Sequence, residues 1–445
     1  MLTAEENETL TRTGPDTLMG RVMRSYWQPA LLAREVQEPG GPPVRVKILG
    51  EEFIAFRDTE GQAGLIDPRC PHRGADLFFG RNEKGGLRCA YHGWQFATSG
   101  ACIDIPTSPP DIGARIKPKA AIRSLPVAER GDIIWAWMGA TAPEPFPQLE
   151  FTTVPAANRY VSKKLQQCNW AQAVEGGLDT AHFSYLHAGI RDDERISMLA
   201  AGPKPNPLAT GQNEPPQIAS FRWMIEDSMP RFSVFDHDAG FLICAARKTD
   251  DDSQYWRCTQ FLMPNHSLAP GSWPGGLQQG QTWVPIDDHH CWIYCFAWYP
   301  DRPMADDERR RLSRGFGIFA EIDQGFVPVR RRENLYLLDR HKQKTSAFTG
   351  IDGISEQDAA IADSQGYIHD RTRELLGQTD LGVVKFRRTV LAGADAVKAG
   401  HAPRGARSPA AYAVHSGDLI TAAGEELAGV LPTRFPHLEA APHHR

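Results

Sequence analysis

Two short segments constrain this chain more than anything else in it: Cys70-Pro71-His72 and, after sixteen intervening residues, Cys89-Ala90-Tyr91-His92. Each pairs one thiol with one imidazole. Four such donors within 23 positions suit a tetrahedral zinc ion or an iron-sulfur cluster. The order within each pair bears on the choice. If both cysteines bind one iron and both histidines the other, each segment supplies one ligand to each metal of a two-iron cluster. Read instead as four unrelated core and surface residues, the spacing is a coincidence. On either metal reading the segments are loops that the fold must bring side by side.

Length and charge bound the rest. The 445 residues are enough for two or more folding units with a large core. The formal net charge is −5, with Lys and Arg scattered among Asp and Glu, so there is no basic surface for nucleic acid and polymer binding is set aside. The start, Met1-Leu2-Thr3-Ala4-Glu5-Glu6, is acidic and lacks the apolar core of a secretory signal. Uncharged apolar runs such as 133–140 are far too short to span a bilayer, so a soluble cytoplasmic protein is expected. The eight cysteines, Cys70, Cys89, Cys102, Cys168, Cys244, Cys258, Cys291 and Cys295, are then expected to stay reduced. Two are assigned to metal, and the other six are read as small buried hydrophobes.

Along the chain, Thr13-Gly14-Pro15-Asp16 opens a short helix over 13–25. Val44–Ile48 and Phe53–Phe56 flank Gly50-Glu51 as a hairpin, and Ile122–Val127 and Ile133–Met138 flank Glu129–Asp132 as another. The first 140 residues thus read as short antiparallel strands carrying the two loops. Pro143, Pro145, Pro147 and Pro155 exclude regular helix or central strand, and the domain boundary is placed there. Beyond it come a helical stretch near 168–187, a Pro- and Gly-rich loop over 202–216, strands to about 299, and helical patterns over 306–322, 356–376 and 381–398. Along 291–299, Trp292, Tyr294, Phe296 and Trp298 alternate with Ile293, Cys295 and Ala297, either as a sheet covered by helices or as an aromatic pocket wall. The last 45 residues, with their Gly and Pro clusters, are expected to wrap the surface.

The two loops resemble the Rieske motif C-x-H…C-x-x-H, and Arg73-Gly74 and Gly93-Trp94 after them are similar too. High-potential Rieske proteins carry a disulfide across the cluster; here those positions are Ala75 and Tyr91. The resemblance is therefore to the lower-potential clusters of soluble ferredoxins and oxygenases. Trp94 is expected to pack and shield. A destination for electrons is offered by the run from Asn169-Trp170 to His187. Asp179 and His182 are three apart and share a helix face, whereas His182 and His187, five apart, reach one ion only if the helix ends or distorts, with Gly189 a stop nearby. Two imidazoles and a carboxylate form the facial triad of non-haem Fe(II) oxygenases, so an acidic ligand is required from elsewhere.

Asn-Trp, Glu-Gly-Gly-x-Asp and His-x4-His resemble the catalytic α subunits of Rieske non-haem iron aromatic ring-hydroxylating oxygenases. Arg12–Pro15, Gln260–Pro264 and the C-terminal half are similar to the phthalate dioxygenase branch. The resemblance implies an α+β chain: an N-terminal segment 1–26, an all-β Rieske domain over 27–145, and a catalytic domain over 146–445 with an antiparallel sheet covered by helices in helix-grip style. It implies a [2Fe-2S] cluster on Cys70, His72, Cys89 and His92, and mononuclear Fe(II) on His182, His187 and Asp358, the last from Ser355-Glu356-Gln357-Asp358. Asp179 would bridge His182 to a cluster histidine of a neighbouring subunit, in a homotrimer or a stack of two trimers, with Asn169 and Glu175 as supports. O2 is the implied co-substrate. Electrons would come from NAD(P)H through a separate flavin and iron-sulfur reductase, since no Gly-rich dinucleotide motif follows a strand. The implied substrate is a phthalate-like aromatic carboxylate, with Arg247, and Arg231 behind it, as anion partners. Monooxygenation, demethylation or diaryl-ether cleavage would use the same ligands. Two alternatives of other classes are a Rieske electron carrier with an unrelated C-terminal domain and a zinc-bound structural protein.

Overall fold

The computed structural model describes residues 1–189, 216–270 and 276–438. The loop expected over 202–216 lies outside them, but for Pro216, which opens the helix Pro216–Glu226. The chain forms two compact units, one of Thr13–Phe146 and the other of Met1–Arg12 with Pro147–Arg445. The sequence-based division differs at its start. Thr3 and Glu6 make a reciprocal capping box for a helix, Ala4–Thr11, that sequence reasoning passed over. Asn7 Nδ2 from that helix donates to His369 O at 3.2 Å, and Leu2 N to Arg371 O at 3.2 Å, so these residues pack with the C-terminal unit. The next helix is Leu18–Arg24, capped by Thr17 rather than begun at Pro15.

In the Thr13–Phe146 unit, short strands form two three-stranded sheets and a four-stranded one. Val44–Ile48 pairs with Glu51–Arg57 across Leu49-Gly50, both at positive φ (50° and 81°), the two-residue turn that matches strand twist. The second hairpin pairs Val127–Arg130 with Ile133–Trp137 across Gly131-Asp132; its first strand lies later than the expected 122–127. A core of Ile54, Phe56, Ile66, Leu77, Leu87 and Phe96 encloses Cys70 and Cys89.

The larger unit is built on an eight-stranded antiparallel sheet. Arg159–Gln166, Cys291–Trp298, Gln278–Pro285, His266–Pro270, Gln254–Leu262, Gly240–Lys248 and Arg231–His237 lie side by side in that order. The eighth strand, Gly417–Thr421, pairs with Gln254–Cys258, so the last 45 residues do not merely wrap the surface. The helix Leu427–Arg434 packs its Leu427 and Leu431 on Leu242, Cys244, Trp256 and Cys258 of one sheet face. On the other face lie the helices Trp170–Leu178 and Leu381–Lys398. Gly177 meets the Trp283 ring so closely that a Cβ would stand 2.4 Å from it, and Phe386 packs on Phe261 and Trp170. The expected helices at 306–322 and 356–376 are shorter, Asp306–Ser313 and Ile354–Ser364. Phe296 stacks on Phe151 at 3.9 Å, and Trp292 and Tyr294 flank Lys163, so this aromatic face is packing rather than a pocket wall. Among the described residues no helix is long and apolar enough to cross a membrane.

Candidate metal centres

The two cluster loops share one backbone design. Gly74 N donates to Cys70 O at 2.9 Å and Cys70 N to Ala75 O at 2.8 Å; Gly93 N donates to Cys89 O at 3.0 Å and Cys89 N to Trp94 O at 2.8 Å. Gly74 and Gly93 sit at φ 71° and 75°, where glycine closes a turn at no steric cost. Each turn presents a cysteine inward and a histidine outward. The His72 and His92 rings are 4.5 Å apart, and Trp94 stacks on His72 at 4.7 Å, the shielding expected of it. The four side chains fit a cluster. Both thiols are buried, burial and the neighbouring Cys89 push the Cys70 thiol up to about 11, and the buried His92 Nδ1 has no hydrogen-bond partner among the described residues. A bound cation would complete that nitrogen and hold the sulfurs as thiolates.

The second centre is made where the helix Trp170–Leu178 ends. Asn169 caps its start by accepting from Ala171 N at 3.1 Å, and Asp179 leaves it in extended conformation. Asp179 Oδ1 then accepts from Ala181 N at 2.7 Å, and Phe183–Leu186 forms a single further turn with His182 and His187 as its two caps. The expected interruption is real, but it falls before His182, so Asp179 and His182 meet across a turn rather than along a helix face. His182 Nδ1 is 3.2 Å from Asp179 Oδ2, and His187 Nδ1 is 2.7 Å from Gln357 Oε1. Gln357 Nε2 donates to Ile351 O at 2.7 Å, which fixes the amide with its oxygen toward the histidine. Each Nδ1–H is thereby committed, and both Nε2 lone pairs point at one spot, 3.1 Å apart.

Asp358 Oδ1 completes the group, 3.5 Å from His182 Nε2 and 3.2 Å from His187 Nε2. Burial works against its charge, but His187 and His182 hold the carboxylate below its usual range. Two bare imidazole nitrogens and an anionic oxygen, all within 4.8 Å of one another, have nothing to share but a cation. The donor set suits non-haem Fe(II) with open positions. Gln357 was not anticipated. It lies inside the quoted Ser355–Asp358 run, but its partner is 170 residues away.

Comparison with known proteins decides the family. Residues 26–126 match the Rieske [2Fe-2S] domain, and residues 136–420 match the family described as LigXa C-terminal domain like. The chain belongs to the Rieske non-haem iron oxygenases. It is 36% identical to the phthalate 4,5-dioxygenase oxygenase subunit of Pseudomonas putida over 91% of this chain and 89% of that one. It is 34% identical to the 3-chlorobenzoate-3,4-dioxygenase oxygenase subunit of Comamonas testosteroni, over 88% of each. Its fold is similar to dicamba monooxygenase bound to dicamba, with a TM-score of 0.56 at 18% identity, over 85% of this chain and 99% of that one. The electron carrier with an unrelated C-terminal domain and the zinc protein are thereby set aside.

Asn169 and Glu175 are placed differently from expectation. Asn169, beyond its cap, donates to Thr11 O and Asp288 O at 2.9 and 2.8 Å, and touches none of the three iron-site side chains. Nor does Glu175. It is clamped by Arg371 at 2.9 and 3.0 Å and by Arg387 at 2.7 Å, while Arg387 also grips Glu374. Glu175 therefore ties the site helix to the C-terminal arm. Glu175→Ala leaves two buried guanidinium groups short of a counter-charge, and is expected to destabilise the catalytic unit by about 3–5 kcal/mol. Thermal unfolding checks this; an unchanged transition would show that the cluster of charges is not structural. Arg231 is exposed and bonds Gln254 Oε1 at 2.9 Å. Arg247 is buried, at 1% exposure, with Nη2 on Thr180 O at 2.6 Å.

Proposed function

We propose that this oxygenase cis-dihydroxylates an aromatic carboxylate of phthalate type, with Arg247 receiving the carboxylate. When bound, the two metal centres supply electron storage and O2 activation. The electrons come from NAD(P)H through a separate flavin and iron-sulfur reductase. The observation that carries the substrate class is Arg247 itself. Among the described residues its Nε and Nη1 are buried without a partner, and its hydrogen bond there runs to Thr180, between Asp179 and His182 in the chain. Burial lowers the guanidinium only to about 10, so it stays charged at neutral pH. A buried cation with two idle donors is costly until an anion arrives, and its planar fork fits a carboxylate. Diagonal to it on the same sheet face, Arg257 lies 5.5 Å over the Phe183 ring, its Nε also buried and without a partner among the described residues. Arg231 and Arg247 line one cleft with Trp223, Asp227 and Gln254, which keeps Arg231 as the second candidate. The two relatives described above are named for aromatic carboxylates.

The ligand roles rest on the same geometry: Cys70, His72, Cys89 and His92 for the cluster, and His182, His187 and Asp358 for the iron. The assembly is read as a cytoplasmic homotrimer or stacked hexamer in which Asp179 faces a cluster histidine of the neighbouring subunit. The test is an oxygen-uptake screen of aromatic mono- and dicarboxylates with a supplied reductase and product identification. Methoxy and phenoxy analogues are included because monooxygenation, demethylation and ether cleavage would use the same side chains. Carboxylates are expected to couple uptake to a cis-dihydrodiol. Arg247→Met is expected to raise KM for the carboxylate by roughly 30-fold or more, about 2 kcal/mol, with iron content unchanged. Uptake restricted to uncharged aromatics would sink this reading.

A further inference from the structure

Asp358 reaches the histidines from the helix Ile354–Ser364, and two side chains of one strand grip that helix near its ends. Lys164, on Arg159–Gln166 and buried at 5% exposure, donates through Nζ to Ser355 Oγ and, at 3.2 Å, to Ile318 O. Two residues on, pointing to the same sheet face, Gln166 Nε2 donates to Asp363 Oδ1 at 2.5 Å and to Ala359 O at 3.4 Å. Ser355 lies in the first turn of the helix and Asp363 in the last, with Asp358 between them. The clamp sets both the height and the rotation of the helix against the sheet.

A lysine is a poor choice for this place on stability alone. Lys is rarely buried, and a cation at a helix N-terminus opposes the aligned peptide dipoles. What offsets the cost is acidic: its charge acts on both Glu356 and Asp358. Glu356 is itself buried, with Oε1 3.4 Å from Glu321 N and 3.9 Å from Arg330 Nη1. Gly353, at φ 92°, leaves room for that carboxyl, since a Cβ there would stand 2.1 Å from Glu356 Oε2. The N-terminal turn is therefore a packed ionic seat whose only ammonium among the described residues is Lys164, and the metal-facing carboxylate is mounted three residues beyond Ser355.

We propose that Lys164 is a positioning residue for the iron site: by holding Ser355 it fixes the helix so that Asp358 Oδ1 falls within reach of both histidine nitrogens. The proposal rests on Asp358 being the third ligand. Lys164→Met and Ser355→Ala, each checked for its cluster spectrum, are expected to raise the Fe(II) dissociation constant of the mononuclear site roughly 10- to 100-fold. Both should also change the ligand-field spectrum of Co(II) bound there at saturation, which a loss of stability alone would leave as it is. Lys164→Arg is expected to recover most of the affinity. Ser355→Ala removes only a hydroxyl and decides the matter where Lys164→Met does not fold. Wild-type affinity and Co(II) spectrum in either variant overturn the proposal. Asp358→Ala is the control: if it binds Co(II) with the wild-type spectrum, the ligand assignment fails and the positioning role fails with it.

Discussion

His182→Ala is expected to release the mononuclear iron and abolish product formation while the visible spectrum of the [2Fe-2S] cluster persists. Among the described residues the site has three donors, and this change deletes one whose Nε2 lies 3.1 Å from the other imidazole and 3.5 Å from the carboxylate. The two that remain, His187 and Asp358, leave most of the coordination sphere to water. Loss of an outer partner alone costs roughly 10- to 100-fold in metal affinity, and loss of a ligand costs more. The separation of effects follows from the architecture. The cluster residues belong to the unit Thr13–Phe146 with its own core, and His182 to the other. Iron analysis should fall from about three atoms per chain to about two, with the absorbance of the cluster unchanged. Retention of all the iron would remove His182 from the ligand set. Bleaching of the cluster would show instead that the two units are not independent.

What could be read in the sequence was short-range. The cluster loops are closed by hydrogen bonds four and five residues apart, so Cys70 to Ala75 and Cys89 to Trp94 carry their own structure. Hairpins with two-residue turns are equally local, and the pair His182 and His187 announces itself by spacing. Asp358 was reached only through resemblance, because a carboxylate near a helix start is ordinary and its partners lie far off in the chain. Gln357, Lys164 and Gln166 were silent for the same reason. Each is an unremarkable polar residue until the strand Arg159–Gln166 and the helix Ile354–Ser364 are laid together. Glu175 misled in the opposite direction. It sits in the motif next to Asp179, yet one turn of helix carries it away from the iron and onto Arg371 and Arg387. The strand Gly417–Thr421 was missed because its Gly-, Ala- and Glu-rich flanks read as surface loop, while its stability comes from pairing with Gln254–Cys258.

Asp179→Asn is expected to keep both metal centres and to lose turnover by at least about 100-fold, near 2.7 kcal/mol at the transition state. The argument starts from what the carboxylate accepts. Oδ1 takes Ala181 N–H at 2.7 Å and Oδ2 takes His182 Nδ1–H at 3.2 Å, so both oxygens are needed as acceptors. Burial works against the charge of Asp179, yet the His182 contact and the Ala181 N–H hold its carboxylate below its usual range. An asparagine of the same shape offers one acceptor and one donor. Whichever way it turns, its NH2 confronts an N–H, and either the turn that presents His182 loosens or the imidazole loses its partner. The ligands themselves are untouched, so the loss of metal affinity should stay within the roughly 10- to 100-fold that an outer partner costs, and Fe(II) supplied in excess should keep the site filled. The side chain also keeps 29% of its surface open, and the amide there would be neutral where the carboxylate is charged. Two measurements separate these consequences. Iron analysis and the cluster spectrum report retention, and the rate at which the pre-reduced cluster is re-oxidised under O2 with substrate reports the connection between centres. Wild-type re-oxidation with poor product yield would make Asp179 a local orienter of His182 only. Wild-type turnover would remove it from the electron path altogether.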